Sequence, residues 1–126
     1  MSLSLPSPDI VASNQTKKID LLDKVISSLE TADYSLSNAM SHALVMRADA
    51  YLDFGVNNPK QALADATKAI EINHLHGRAF RVKADAHEAL DDVLGAMEAV
   101  ENWALVNPAF KAKARKELSR LSTSNP

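Results

Sequence analysis

The sequence contains no cysteine, only three glycines and few aromatic residues. Without cysteine the 126-residue chain can form neither disulfides nor thiolate sites, which favours a reducing compartment. We therefore expect a cytoplasmic protein, with a nuclear location also compatible. The scarcity of glycine and aromatic residues, together with abundant leucine and alanine, favours helices over sheet. A chain of this length is expected to form one domain.

Long apolar runs are also missing. No stretch of about 18 apolar residues occurs, so we expect no membrane span. The start, MSLSLPSPDIVASNQ, has neither a basic segment nor a continuous apolar core and does not have the pattern of a secretory signal. We interpret residues 1–14 as a flexible Ser/Pro-rich arm. Asn14 or Thr16 would then cap the first helix.

Apolar residues recur at helical spacing in six segments, and no segment alternates with the period of a strand. Asn58 and Pro59 suit the start of one helix, and Pro108 ends another. The segments are 15–30, 37–55, 56–73, 77–90, 93–107 and 109–122. The sequence therefore predicts an all-α protein.

Two of the predicted helix pairs match each other along the chain. Ala62 matches Ala96 and Asn73 matches Asn107, in each case 34 residues apart. In the first helices of the pairs, Ala48 matches Ala84 at a distance of 36 residues, because one turn is two residues longer. A period of 34 with a helix–turn–helix unit is typical of helical repeats.

Alanines mark the predicted contacts between paired helices. Ala62, Ala66 and Ala69 lie at i, i+4 and i+7 and so share one helix face. Alanine buries little apolar area but allows two helices to approach closely. We expect these residues, with Ala48, Ala84 and Ala96, at the helix crossings; high helix propensity is the simpler alternative explanation.

The chain resembles the tetratricopeptide repeat (TPR) family in MRADAYLDFG and QALADATKAIEIN. The first repeat, 41–76, has Leu44, Tyr51, Ala62, Ala66 and Ala69 at family positions. The second, 77–110, departs from the pattern at His87, where tyrosine is usual, and at Trp103, where a small residue is usual.

This resemblance implies an α–α superhelix of antiparallel helix pairs. We expect a helical domain over 15–122, with helix 15–30 docking as the degenerate half of an earlier repeat. Helix 109–122 would cap the other end, and 123–126 would form a tail. Residues 111–126 carry five basic groups and one acidic group, which we place on a solvated face. A helix that binds a membrane surface or nucleic acid is the alternative.

Motifs for catalysis are missing: the sequence has no glycine-rich phosphate loop, nucleophile motif or HExxH. His74 and His76 would supply only two metal ligands, whereas a site needs three or four. We interpret His87 as a packed histidine. We therefore expect no enzyme activity, metal, cofactor or small-molecule substrate.

The resemblance implies instead a groove lined by the first helix of each repeat, which would hold a peptide or helix of another protein. Arg78 and Arg81 would bind carboxylates, and Val45, Met46 and Val82 would form an apolar floor. The remaining groove candidates are His42, Asp49, Asp53, Asp85 and Ala89.

Three interpretations of this surface remain open. One subclass of the family clamps the acidic tails of heat-shock chaperones, but Met46 and Val82 stand where its asparagine and arginine belong. A co-chaperone-like role is thus the minority alternative. Self-association, or assembly as a scaffold subunit through an apolar edge, is the second alternative. Arg78 and Arg81 could also be ordinary solvated side chains.

Overall fold

The structure, a computed structural model, describes residues 8–30, 37–53 and 55–124, and all its regular elements are helical. Within these ranges there is no strand, and every predicted helix is present. The helices are α1 (Pro8–Glu30), α2 (Ser37–Leu52), α3 (Pro59–Ile72), α4 (Gly77–Ala89), α5 (Val93–Val106) and α6 (Lys111–Ser124), with a 3-10 turn at Pro108–Phe110 before α6. The all-α prediction is confirmed.

The predicted arm and tail need correction. Helix α1 begins at Pro8, so residues 8–14 are helical, whereas 1–7 lie outside the described residues. Proline suits a first helical position because its missing N–H has no intrahelical partner there. Asn14 and Thr16 are inside α1 and do not cap it; the Thr16 hydroxyl donates to the Ala12 carbonyl at 2.8 Å. At the other end, α6 extends to Ser124.

The 34-residue match extends to the helix ends. Asn73 ends α3 and Asn107 ends α5 with nearly equal φ angles of −137° and −131°. Each donates its backbone N–H to the carbonyl four residues earlier, at 2.9 Å to Ala69 and 3.0 Å to Trp103. The side chain of Asn58 caps α3 as expected, accepting from the Gln61 N–H.

Each helix contacts the next one along the chain, and α2 also contacts α4. Two apolar clusters result, one between α1, α2, α3 and α4 and the other between α4, α5 and α6. Ile70 of α3 packs against both clusters and joins them. The described part of the chain therefore forms one continuous core.

The alanines predicted at the crossings are all buried. Ala48, Ala62, Ala66, Ala69 and Ala96 have no exposed surface, and Ala84 has only 4%. Ala64, on the same helix as three of them, is exposed. Whether an alanine of α3 is buried thus depends on the helix face on which it lies. Helix propensity alone would not restrict alanine to one face.

Ion pairs of Arg47 with the buried Asp65 and the half-exposed Asp23 join the first three helices. Arg47 of α2 donates Nε to Asp65 Oδ2 at 2.7 Å and Nη2 to Asp65 Oδ1 at 2.8 Å. A third bond runs from Nη1 to Asp23 of α1 at 2.8 Å. Asp65 is only 5% exposed. The bond to Asp65 raises the pKa of Arg47 above its ordinary value, against the opposing effect of burial.

Replacing Ala66 with leucine should destabilise the fold by about 1–3 kcal/mol, because the larger side chain forces α3 away from its neighbours. The matched variant Ala64→Leu adds the same atoms at an exposed position of the same helix. We expect it to change stability by less than about 0.5 kcal/mol. Urea unfolding of both variants measures the difference. Equal effects would contradict a role of the alanines in helix approach.

Replacing Arg47 with alanine should cost about 3–5 kcal/mol, because it leaves the Asp65 carboxylate buried without a partner. The double variant Arg47→Met/Asp65→Leu removes both charges and should recover most of that loss. Asp23→Ala is the control, since Asp23 is 49% exposed and its loss leaves the bidentate bond intact. Urea unfolding midpoints compare the three. A double variant as unstable as Arg47→Ala would show that packing, and not the unpaired charge, dominates.

Candidate partner-binding surface

Side chains of three alternate helices meet on one surface, which we call the α2–α4–α6 face. Arg78 of α4 pairs with Asp49 of α2 at 2.5 Å. Arg81 of α4 lies 3.7 Å from Glu117 of α6. The face is defined by His42, Asp49, Arg78, Arg81, Asp85, Glu88, Glu117 and Arg120.

A bidentate bond ties α6 to this face. Arg120 donates Nη1 and Nη2 to the two carboxylate oxygens of Glu88, at 2.6 and 2.9 Å. It also bonds Glu117 on its own helix. We expected the basic side chains of this helix to be turned only to water. Arg120 departs from that expectation because Glu88 of α4 lies within its reach, and charge pattern alone did not reveal this partner.

Five of the ten predicted groove residues belong to this face, namely His42, Asp49, Arg78, Arg81 and Asp85. His42, Arg78 and Ala89 are exposed, whereas Met46, Asp49, Asp53, Arg81 and Asp85 are partly buried. Asp53 lies beside α1, where it accepts a bond of 3.2 Å from Gln15.

The predicted apolar floor needs correction. Val45 is 0% and Val82 is 3% exposed, because both belong to the cluster that joins α1, α2, α3 and α4. Met46 also packs against this cluster. The two valines stabilise the fold and offer no surface to a partner in this conformation.

Both arginines expected to bind carboxylates already have acidic neighbours. Arg78 pairs with Asp49, and Arg81 lies near Asp85 and Glu117 at 3.6 and 3.7 Å. The Arg78–Asp49 side chains are 60% and 43% exposed, and ion pairs this exposed contribute about 0–1 kcal/mol. A carboxylate from outside can therefore displace these contacts at small cost.

Aromatic rings lie beside these charges. The guanidinium of Arg81 lies 5.7 Å from the centroid of the Trp103 ring, a cation–π distance. Trp103 in turn stacks on Phe110 at 5.2 Å. A small recess of about 210 Å³ opens here between Arg81, Trp103, Lys113 and Glu117. The recess extends the charged surface toward α6.

Burial shifts the pKa of Asp85 at this face and of His76 beside it. It raises the pKa of the Asp85 carboxyl, while Arg81 acts in the opposite direction. Burial also lowers the pKa of His76, with a further lowering from His42. The two imidazole rings stack at 6.4 Å between centroids. A deprotonated His76 therefore fits beside Arg78, whose positive charge acts in the same direction.

No metal-binding cluster is found among the described residues, where no three His, Cys, Asp or Glu side chains come together suitably. His74 is exposed in the turn between α3 and α4, and His76 stacks on His42. The HLH segment therefore directs its two imidazoles to different surroundings.

A second concavity, of about 410 Å³, lies between α4 and α5. His87 Nδ1 lies 2.9 Å from Asp92 Oδ2, without hydrogen-bond alignment. A Cβ added to Gly95 would come within 2.5 Å of that nitrogen, so a larger residue here would push the side chains of His87 and Asp92 out of this arrangement. Of the described side chains that line the concavity, none is a hydroxyl or thiol that an imidazole could activate. The His87 side chain is 16% exposed and lies beside Asp92 in this concavity.

No protein-family model and no curated protein sequence gave a significant match to this chain. Among the described helices, none has the length and apolar character needed to cross a bilayer.

Replacing Glu88 with glutamine should reduce the loss of stability in acid. The Arg120 bond lowers the pKa of the Glu88 carboxyl below its ordinary value of 4.5. The ionised Glu88 carboxylate therefore stabilises the fold above pH 4.5. This stabilisation is lost as the pH falls through the lowered pKa of Glu88. Urea unfolding midpoints of wild type and Glu88→Gln should differ near neutral pH and converge in acid.

Two features make this comparison specific. Asp85 has a pKa that is raised mainly by burial, so its contribution to stability falls as the pH rises. This main cause is common to both proteins, and Glu88→Gln removes only the smaller raising effect of the Glu88 charge. Glu98→Gln is the matched control, because Glu98 is exposed and has no ion pair among the described residues. A constant difference between wild type and Glu88→Gln at every pH would contradict the prediction.

Proposed function

We propose that this protein is a tetratricopeptide-type module that binds a segment of another protein on its α2–α4–α6 face and performs no chemistry. The observation that carries this proposal is that alternate helices contribute to one shared face, linked by Asp49–Arg78 and Glu88–Arg120. Stacked helix pairs place the first helix of every pair on the same side, which supports the repeat interpretation. Pairwise contacts along the chain and between α2 and α4 agree with it.

The charges of the face favour a partner of mixed charge. Carboxylates and guanidiniums alternate across it, and the pairs between them are partly exposed. A peptide that carries both signs can exchange partners with these side chains, replacing one weak ion pair by another. The side chains whose ion pairs are broken then pair with charged groups of the peptide.

A purely acidic tail fits the face less well. It would have to compete with Asp49 for Arg78, and with Asp85 and Glu117 for Arg81. Each displaced carboxylate would then repel the incoming ones. Binding of acidic chaperone tails is accordingly not the function we propose.

The double variant Arg78→Glu/Arg81→Glu should lose at least about 90% of the partner captured from a cell extract, because two charge reversals each cost more than about 1 kcal/mol at a contact. The measurement is affinity capture with the whole chain as bait, quantified by mass spectrometry. Thermal unfolding of both baits checks that the variant is folded.

Lys24→Glu/Lys60→Glu is the matched control. It changes the net charge by the same amount at exposed lysines of α1 and α3, away from the face. The control bait should retain the partner that the first variant loses. Equal capture by all three baits would contradict binding at the α2–α4–α6 face. Equal loss in both variants would point to net charge and not to the face.

A further inference from the structure

A second surface lies on another side of α6, where α5 and α6 enclose an apolar groove. We call it the α5–α6 groove, and its volume is about 360 Å³. None of its residues belongs to the α2–α4–α6 face. The lining residues are Glu101, Ala104, Leu105, Lys111, Ala114, Arg115 and Leu118.

The groove has an apolar floor and a projecting apolar ridge. Ala104 and Leu118 are partly buried at its base, whereas Leu105 is 77% exposed on one wall. Leu105 is the most exposed of the large apolar side chains in the described part of the chain. When two such surfaces face each other, the exposed leucine of one can fill the apolar groove of the other. One surface thus provides both the inserted side chain and the groove that receives it.

The two rims of the groove carry opposite charges. Glu101 stands on the α5 side, and Lys111 and Arg115 stand on the α6 side. Arg115 is also unusual among the five arginines of the sequence. Arg47, Arg78, Arg81 and Arg120 all lie within ion-pair distance of acidic residues, whereas Arg115 has no ion pair among the described residues.

We propose that the α5–α6 groove binds a second copy of this chain, as a two-fold symmetric dimer. A two-fold interface places the same patch on both sides, so its charges must complement themselves. An axis that runs along the groove exchanges its rims and sets Glu101 of one copy opposite Arg115 of the other. Leu105 of each copy then lies over the floor of the facing groove.

Head-to-tail stacking through the first helix is disfavoured by charge. The exposed apolar residues of α1 are Leu21 and Val25. Lys17, Lys18 and Lys24 are exposed on the same helix, three or four residues from them, and therefore neighbour them on its surface. Docking this patch on the groove would place lysines against Lys111 and Arg115. The symmetric pairing instead joins Glu101 of each copy to Arg115 of the other.

The first test is the mass of the wild-type chain as a function of concentration, by sedimentation equilibrium. A reversible monomer–dimer equilibrium is expected. Leu105→Glu should raise the dissociation constant at least about tenfold, because it removes a central apolar contact and buries a charge. Leu94→Glu is the matched control: Leu94 is 75% exposed on the same helix but lies outside the groove. It should leave the dissociation constant within about twofold of wild type.

A charge swap tests the pairing itself. Glu101→Arg and Arg115→Glu should each weaken the dimer at least about tenfold, because each sets like charges against each other twice in a symmetric interface. The double variant Glu101→Arg/Arg115→Glu restores opposite signs and should return the dissociation constant to within about threefold of wild type. If the substitutions weakened the dimer by disturbing the fold, the double variant would instead have a dissociation constant at least as high as those of the single variants.

Three outcomes would overturn the proposal: a monomeric wild type at every concentration, equal effects of Leu105→Glu and Leu94→Glu, or failure of the charge swap to restore the dimer. A monomer that uses the same groove for a different protein also overturns it. Arg78→Glu/Arg81→Glu changes the other face and should leave the dimer unchanged. Failure of the dimer is thereby distinguishable from failure of the proposed peptide binding.

Discussion

Close approach of paired helices is the constraint on which the structure depends. With only methyl groups at Ala62, Ala66 and Ala69, α3 can lie near enough to its neighbours for polar contacts to form across the crossing. The buried hydroxyl of Ser41 donates to the Ala69 carbonyl at 3.0 Å, a bond that a wider separation would break. The bidentate Arg47–Asp65 pair needs the same proximity. Small side chains thus permit the polar bonds that fix how the first helices meet.

The same packing places charges at the surface in a regular way. When each helix packs on the next, and α2 also on α4, alternate helices come together on one side. Asp49 then faces Arg78, and Glu88 faces Arg120. The side chains of these pairs are partly exposed, so the pairs add little stability. The pair between Arg47 and the buried Asp65 differs, because loss of Arg47 would leave a buried charge without a partner. Partly exposed ion pairs of this kind can be exchanged for contacts with a partner at small cost, which agrees with the binding we propose for this face.

The sequence predicts those features of the fold and of the face that depend on residues close together along the chain. Helix periodicity, the cap at Asn58 and the helix end before Pro108 are local signals, and the self-match at 34 and 36 residues pointed to the buried alanines. The start of α1 was missed because serines and prolines there suggested a flexible arm, although proline suits a first helical turn. Val45 and Val82 are buried in the cluster that α1, α2, α3 and α4 build together, and Arg47 and Arg120 bond acidic residues on other helices. Such contacts join residues distant in sequence, which periodicity does not reveal.

Helix α6 carries residues of both proposed surfaces, on separate sides. Glu117 and Arg120 face α4, whereas Lys111, Arg115 and Leu118 line the α5–α6 groove. A dimer formed through the groove therefore leaves the α2–α4–α6 face of each copy open, and the assembly carries two such faces. For a partner with two binding segments, the second contact becomes intramolecular and avidity exceeds the affinity of one face. Under these two proposals, weak ion pairs at a single face suffice, because a dimer presents two faces to the partner at once.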